Sequence, residues 1–163
     1  MPSPKTRAAL TEEHAAFVCG PHSVIASSSS VDGLPSMARC LGCEVSADRR
    51  SVTLVFHALQ ATTLLRDIAT TGRIAVVYNE PATHVTLQLK GRDARPIPTP
   101  EGAEALAGRH IEAFMGAVAP LGFSAELVRA VFLGAATPVA AVQFTPEAAY
   151  QQTPGPKAGA RLT

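Results

Sequence analysis

The stretch "HSVIASSSSVDGLPSMARCLGCEVSAD", residues 22–48, sets apolar runs on either side of Asp32-Gly33. That dipeptide tolerates the positive φ values of a tight turn, so the stretch reads as a β-hairpin. Its second run ends at the polar "SADRRS" (46–51), and "SVTLVFHA" (51–58) makes a third strand. Three consecutive strands joined by short turns predict an antiparallel meander. The opening strands lack the crossover helices that a parallel sheet needs.

Upstream, residues 1–10 read as a loose arm. Thr11 then opens a short helix, "TEEHAAFVCG", with Glu12 and Glu13 in the first turn, where the helix dipole favours acidic groups. Gly20-Pro21 stops it. Downstream, "ATTLLRDIATTG" (61–72) is a helix closed by Gly72, "RIAVVYN" resumes strand, Glu80-Pro81 turns the chain, and "HVTLQLKGRDARPI" (84–97) is a further strand. Thr99-Pro100-Glu101 has the signature of a helix start, with Thr as N-cap and Pro at the first position. That helix is expected to run to about Ala119. A second short helix, "SAELVRAVFLG", follows, and "TPVAAVQFTPEAAY" (137–150) supplies a last strand. The Pro/Gly-rich "QQTPGPKAGARLT" (151–163) is expected to be an extended tail, because Pro154 and Pro156 forbid helix.

The strands outnumber what one helical layer could organise. The expected fold is therefore mainly β: a single antiparallel barrel or strongly curled sheet over residues 11–150, with peripheral helices. The chain has 163 residues, 47% of them hydrophobic and 17% charged, which suits one domain with a sizeable core. A net charge of +1, with its basic residues scattered, lacks the electrostatic footprint of a dedicated nucleic-acid binder. No uninterrupted apolar run is long enough to cross a bilayer, and "MPSPKTRAAL" lacks the apolar stretch of a secretory signal. The expected location is the cytoplasm, where an odd number of cysteines, three, fits a reducing environment.

Two features suggest a ligand. In "VFHALQATTLLRDIA" (55–69) a strand pattern runs straight into a helical one, with Gln60, Thr62 and Thr63 at the join. Helix starts of this kind hold phosphates through free backbone N–H groups. Arg39, mid-strand among apolar and small neighbours, needs an anionic partner: Glu44, Asp67 or a ligand phosphate. Thr86 and Gln88 share a face of one strand, where Gln88 either makes a core hydrogen bond or reads the edge of a planar heterocycle.

Other chemistry is weakly signalled. Cys40 and Cys43 have a metal-like spacing, but they lie in a strand pattern that points residues three apart to opposite faces, and no second pair exists for a zinc ribbon. They read as buried structural cysteines, with no metal site. The five histidines show no ligand-like clustering, although His57 and His84 flank the strand-to-helix segment and one could face a cofactor. No nucleophile elbow, P-loop or dinucleotide fingerprint occurs.

The element order, together with "DGLPSMAR", "TTLLRDIATTGRIAVVY" and "LQLKGR", resembles the pyridoxamine 5'-phosphate oxidase-like family, the FMN-binding split barrels. The resemblance covers most of residues 11–150, and the closing "YQQTPGPKAGARL" looks like the tail of one of its subgroups. It implies a homodimer with two FMN sites at the subunit interface, acting as an oxidoreductase on a small molecule. Arg39 matches the phosphate-binding arginine of the second strand. Thr62, Thr63 and Leu64 stand where the family has a Ser-Arg-Lys-like run, so the hydroxyls are kept and the basic pair is lost. Thr86 falls where the oxidase has a flavin-contacting Gln, with Gln88 two residues later. Glu44 replaces a second-strand Lys, and the oxidase's terminal Arg and Pro signature is missing. Activity as a true pyridoxamine 5'-phosphate oxidase is therefore not expected. The rival expectation is a non-catalytic split barrel that is empty or holds another ligand, such as haem on His57 or His84.

Overall fold

A computed structural model describes residues 10–133 and 138–162. Most of the expected N-terminal arm, residues 1–9, lies outside them, as do the start of the expected last strand, Thr137, and the glycine after the second short helix, Gly134. The elements in chain order are α1 (Glu12–Val18), β1 (Ser23–Ser29), β2 (Pro35–Val45), β3 (Val52–His57), α2 (Thr62–Thr71), β4 (Ile74–Asn79), β5 (Thr86–Gly91), β6 (Arg95–Ile97), α3 (Ala103–Val118), α4 (Ala125–Leu133), β7 (Val139–Phe144) and β8 (Ala148–Gln151).

All eight strands join one antiparallel sheet in the order β6-β7-β3-β2-β1-β4-β5-β8. The hairpin and the meander form as the sequence predicts. Gly33 takes φ +84 in the turn between β1 and β2, and Thr11 caps α1 by accepting from the His14 N–H. Alternation along the strands sends Val24, Ala26, Leu54, Phe56, Val76, Tyr78, Leu87 and Leu89 into one core, closed from one side by Leu64 and Ile68 of α2. A second apolar layer lies on the outer face, where Leu41 and Val55 meet Ala107, Ile111, Met115 and Phe132 of α3 and α4.

Four expectations need correction. The segment 84–97 is two strands: β5 ends at Gly91, whose missing side chain admits Phe144 and the Thr145 carbonyl, and β6 pairs with β7 at the other end of the sheet. The segment 137–150 also divides, at Thr145-Pro146, into β7 beside β3 and β8 beside β5. These two breaks allow one chain to serve both ends of the sheet. Thr99 does not cap α3, which starts at Ala103 after Gly102 at φ +82; the Thr99 hydroxyl donates instead to the Val139 carbonyl. Residues 151–162 do not run extended: they turn through Gly155 and Gly159, and the Leu162 N–H donates to the Ala149 carbonyl of β8.

Cys40 and Cys43 are buried as expected, but a β-bulge overturns the expectation that they face opposite sides. Cys40 pairs with Phe56 and Gly42 with Val55, so Leu41 is the extra residue and the alternation of β2 shifts by one. Cys40 and Cys43 consequently both face the core.

Candidate functional site

The phase of β2 before the bulge decides where Arg39 goes. Ser36, Ala38 and Cys40 point inward, so Arg39 points outward. There its Nη1 donates to Ser23 Oγ at 3.1 Å, and its guanidinium lies 5.4 Å from the centre of the Phe132 ring. Neither candidate carboxylate reaches it. Asp67 is buried on α2, accepting from Ser36 Oγ at 2.7 Å and from Arg66, while Glu44 is exposed beyond the bulge. Among the described residues Arg39 has no carboxylate partner. It stands at one edge of a cleft of about 290 Å³ walled by Phe114, Val118, Val128 and Phe132, with Ser23 and Asn79 at its polar end.

The sheet register extends this site. Arg39 pairs with Ile25, Ile25 with Val77, Val77 with Gln88, and Gln88 with Tyr150. Paired residues share a face, so one outward row crosses five strands, with Arg39 at one end and Gln88 three strands away, roughly 14 Å. The next row carries Ser23, Asn79 and Thr86. The structure thus brings Arg39, Thr86 and Gln88 onto one face. Thr86 is committed there: its hydroxyl accepts from Asn79 Nδ2 and donates to the His84 carbonyl. Gln88 is half-buried and its Oε1 accepts from Gln152 of the returning tail.

Thr62 and Thr63 are both exposed at the start of α2. The Thr62 hydroxyl turns back to the carbonyls of Leu59 and Ala58, and Ala61 at the cap position supplies no side-chain acceptor. The first turn carries no acidic residue, so its positive end is uncompensated. The link to Arg39 runs through β3. His57, buried at the end of β3 one residue past the Cys40–Phe56 pair, receives the Gln60 N–H on Nδ1 and the Ala61 N–H on its carbonyl. No hydrogen bond joins Arg39 to Thr62 or Thr63 among the described residues. His84, by contrast, is exposed on the β4–β5 turn at φ +63.

Sequence reasoning missed Ser23 and Phe132, the two groups that hold Arg39. Ser23 was readable in principle, two residues from the Arg39 partner in the hairpin. Phe132 lies on a distant helix, and nothing local announces it.

No family model matches this chain. No curated protein matches it either. Solved structures do. HupZ from Group A Streptococcus aligns over 92% of this chain and 99% of its own, at 14% identity and a TM-score of 0.54. A Lactobacillus delbrueckii structure assigned as a pyridoxamine 5'-phosphate oxidase aligns over 87% and 93%, at 14% identity and 0.53. A structure named F420 reductase aligns over 86% and 98%, at 14% identity and 0.54. The fold is therefore a mainly β split barrel, shared with these structures. No helix among the described residues is long and apolar enough to cross a membrane.

Proposed function

We propose that the chain is an FMN-binding oxidoreductase acting on a small molecule as a homodimer, with the flavin phosphate at Arg39. The observation that carries this reading is the half-buried guanidinium of Arg39, held by Phe132 and Ser23 with no carboxylate among the described residues to neutralise it. Such a charge suits a bound anion. A phosphate carries roughly two negative charges and a helix terminus offers about half a positive one, so Arg39 is the principal counter-charge. Thr63 and the first-turn N–H groups of α2 supply neutral donors, as does Thr62 to the extent that its hydroxyl turns outward. Gln88, on the same row, offers an amide to the edge of the ring system. When bound, the flavin supplies the redox chemistry; the chain's part is to position it and exclude water.

Titration of the purified protein with FMN, followed by flavin fluorescence, tests this reading. Saturable binding that weakens about 10- to 100-fold in Arg39→Ala supports it, the loss of one charge-assisted contact being worth roughly 1.5–3 kcal/mol. A wild-type protein that ignores FMN refutes it. The haem alternative has less support, because His84 is solvent-exposed on a turn and His57 Nδ1 already accepts a hydrogen bond. A Soret band that appears with added hemin and disappears in His57→Ala would favour it.

A further inference from the structure

Helix α1 ends at Cys19, whose N–H closes the last turn on the Phe17 carbonyl. Its side chain is exposed, and the Cys43 thiol of β2 and the Val45 backbone lie close enough to influence its thiol. Cys43 is buried at 7% exposure, with its Sγ 3.7 Å from the Tyr78 hydroxyl. It faces this way only because the bulge at Leu41 shifts the phase of β2. Both cysteines line a cleft of about 220 Å³, along with Gly20, Pro21, Arg109 and His110. A small solute can enter here and meet Cys19 first.

We infer that Cys19 and Cys43 form a peroxide-oxidisable dithiol, with Cys19 as the attacking thiol and Cys43 as the resolving one. The oxidant is a hydroperoxide. The Cys19 thiolate attacks one peroxide oxygen, the O–O bond breaks, and the departing hydroxide is protonated to water, leaving Cys19 as a sulfenic acid. The Cys43 sulfur then attacks the Cys19 sulfur; the S–S bond forms, the S–O bond breaks, and a second water leaves with the Cys43 proton. Two thiols and one peroxide give one disulfide and two waters.

The surroundings fit these roles. The hydrogen bond from the Cys43 thiol holds the Cys19 thiol down to about 7, so a large share is thiolate at neutral pH. Cys43 is pushed up by the same pairing and by burial, and stays protonated until Cys19 has reacted. Cys40 is fully buried, and burial raises its thiol too, so it neither meets the oxidant nor competes.

The test treats the reduced full-length protein with a small excess of hydrogen peroxide, then counts thiols after denaturation and maps peptides by mass. The expected result is a fall from three free thiols to one, a Cys19–Cys43 linked peptide with Cys40 free, and recovery of all three on adding dithiothreitol. In Cys19→Ser the Cys43 thiol should survive the same treatment. In Cys43→Ser, Cys19 should be trapped by dimedone as the sulfenic acid. If Cys43→Ser fails to fold, the wild-type peptide map decides alone. A sulfinic Cys19 beside a free Cys43, a Cys19 cross-link between two chains, or three thiols remaining would each overturn the proposal.

Discussion

Arg39 and Ser36 show how one strand assigns opposite tasks to residues of opposite parity. Arg39 faces out and has no carboxylate partner among the described residues, whereas Ser36 faces in and spends its hydroxyl on the buried Asp67 carboxylate at 2.7 Å. Ser36→Ala leaves Asp67 with Arg66, an exposed neighbour on its own helix, as its remaining side-chain partner. We expect this substitution to cost about 1–3 kcal/mol, the range for stranding a buried polar group, read as a lower midpoint of thermal or urea unfolding. An unchanged midpoint would mean that the pair contributes nothing to holding α2 on the barrel. At this scale the sequence was partly legible. Arg39 was visible as a cation in an apolar strand, but not its choice of Phe132 over Glu44 or Asp67, because that choice is made by a helix far along the chain. Asp67 was named for the wrong partner: parity, not sequence distance, gives it to Ser36.

Among the elements, the packing of α3 against the α1–β1 corner buries two histidines together. His22 stacks on Phe17 at 4.2 Å, and His110 of α3 is near enough to feel its charge. Among the described residues, His22 Nδ1 and His110 Nε2 have no hydrogen-bond partner. Burial lowers the pKa of both; for His22, Glu80 and the Phe17 backbone oppose the shift, and for His110 the charge of His22 adds to it. The neutral forms belong to the folded state. The unfolded chain therefore takes up protons first, and stability is full above the ordinary value of 6.5 and falls as pH drops below it. Each histidine can contribute a slope of at most about 1.4 kcal/mol per pH unit. Urea midpoints between pH 7.5 and 5 should decline in the wild type and decline less in His110→Phe; parallel profiles would contradict this.

Gly72 is a second element-scale test. It ends α2 at φ +66, and a Cβ there would sit 2.6 Å from the Arg92 carbonyl oxygen. Gly72→Ala should lower the thermal midpoint, and a neutral outcome would mean that the α2–β4 junction can shift. Stops and turns of this kind, Gly72, Asp32-Gly33 and Thr11, were legible because their chemistry is local. The misleading Thr99-Pro100-Glu101 signal was local too. It was overridden when Thr99 bonded to β7. The bulge at Leu41 and the breaks at Gly91 and Pro146 depend on contacts between distant strands, and no window of sequence contains them.

For the whole molecule, the division of the outer sheet face matters most. Helices α3 and α4 cover its β2–β3–β7 part, while the row through Ile25, Val77, Gln88 and Tyr150 lies outside the α3–α4 apolar layer. Met37, 69% exposed on β2, projects from the same face. The proposed dimer would bury this surface, and the row geometry would then set Arg39 of one chain against the partner's sheet. Met37→Glu should shift the protein toward monomer in sedimentation or light scattering and weaken FMN binding with it. A dimer that persists unchanged would place the interface elsewhere. The antiparallel, mainly β architecture was readable from the meander; the curling of both sheet ends around a shared core was not, since it follows from the two strand breaks.

The most direct measurement is the visible absorbance of the purified protein, titrated with FMN at known chain concentration. The account predicts flavin bands in the blue that shift on binding and saturate near one FMN per chain, with saturation lost or moved to higher concentration in Arg39→Ala. A colourless protein whose added FMN keeps the spectrum of the free cofactor would contradict it.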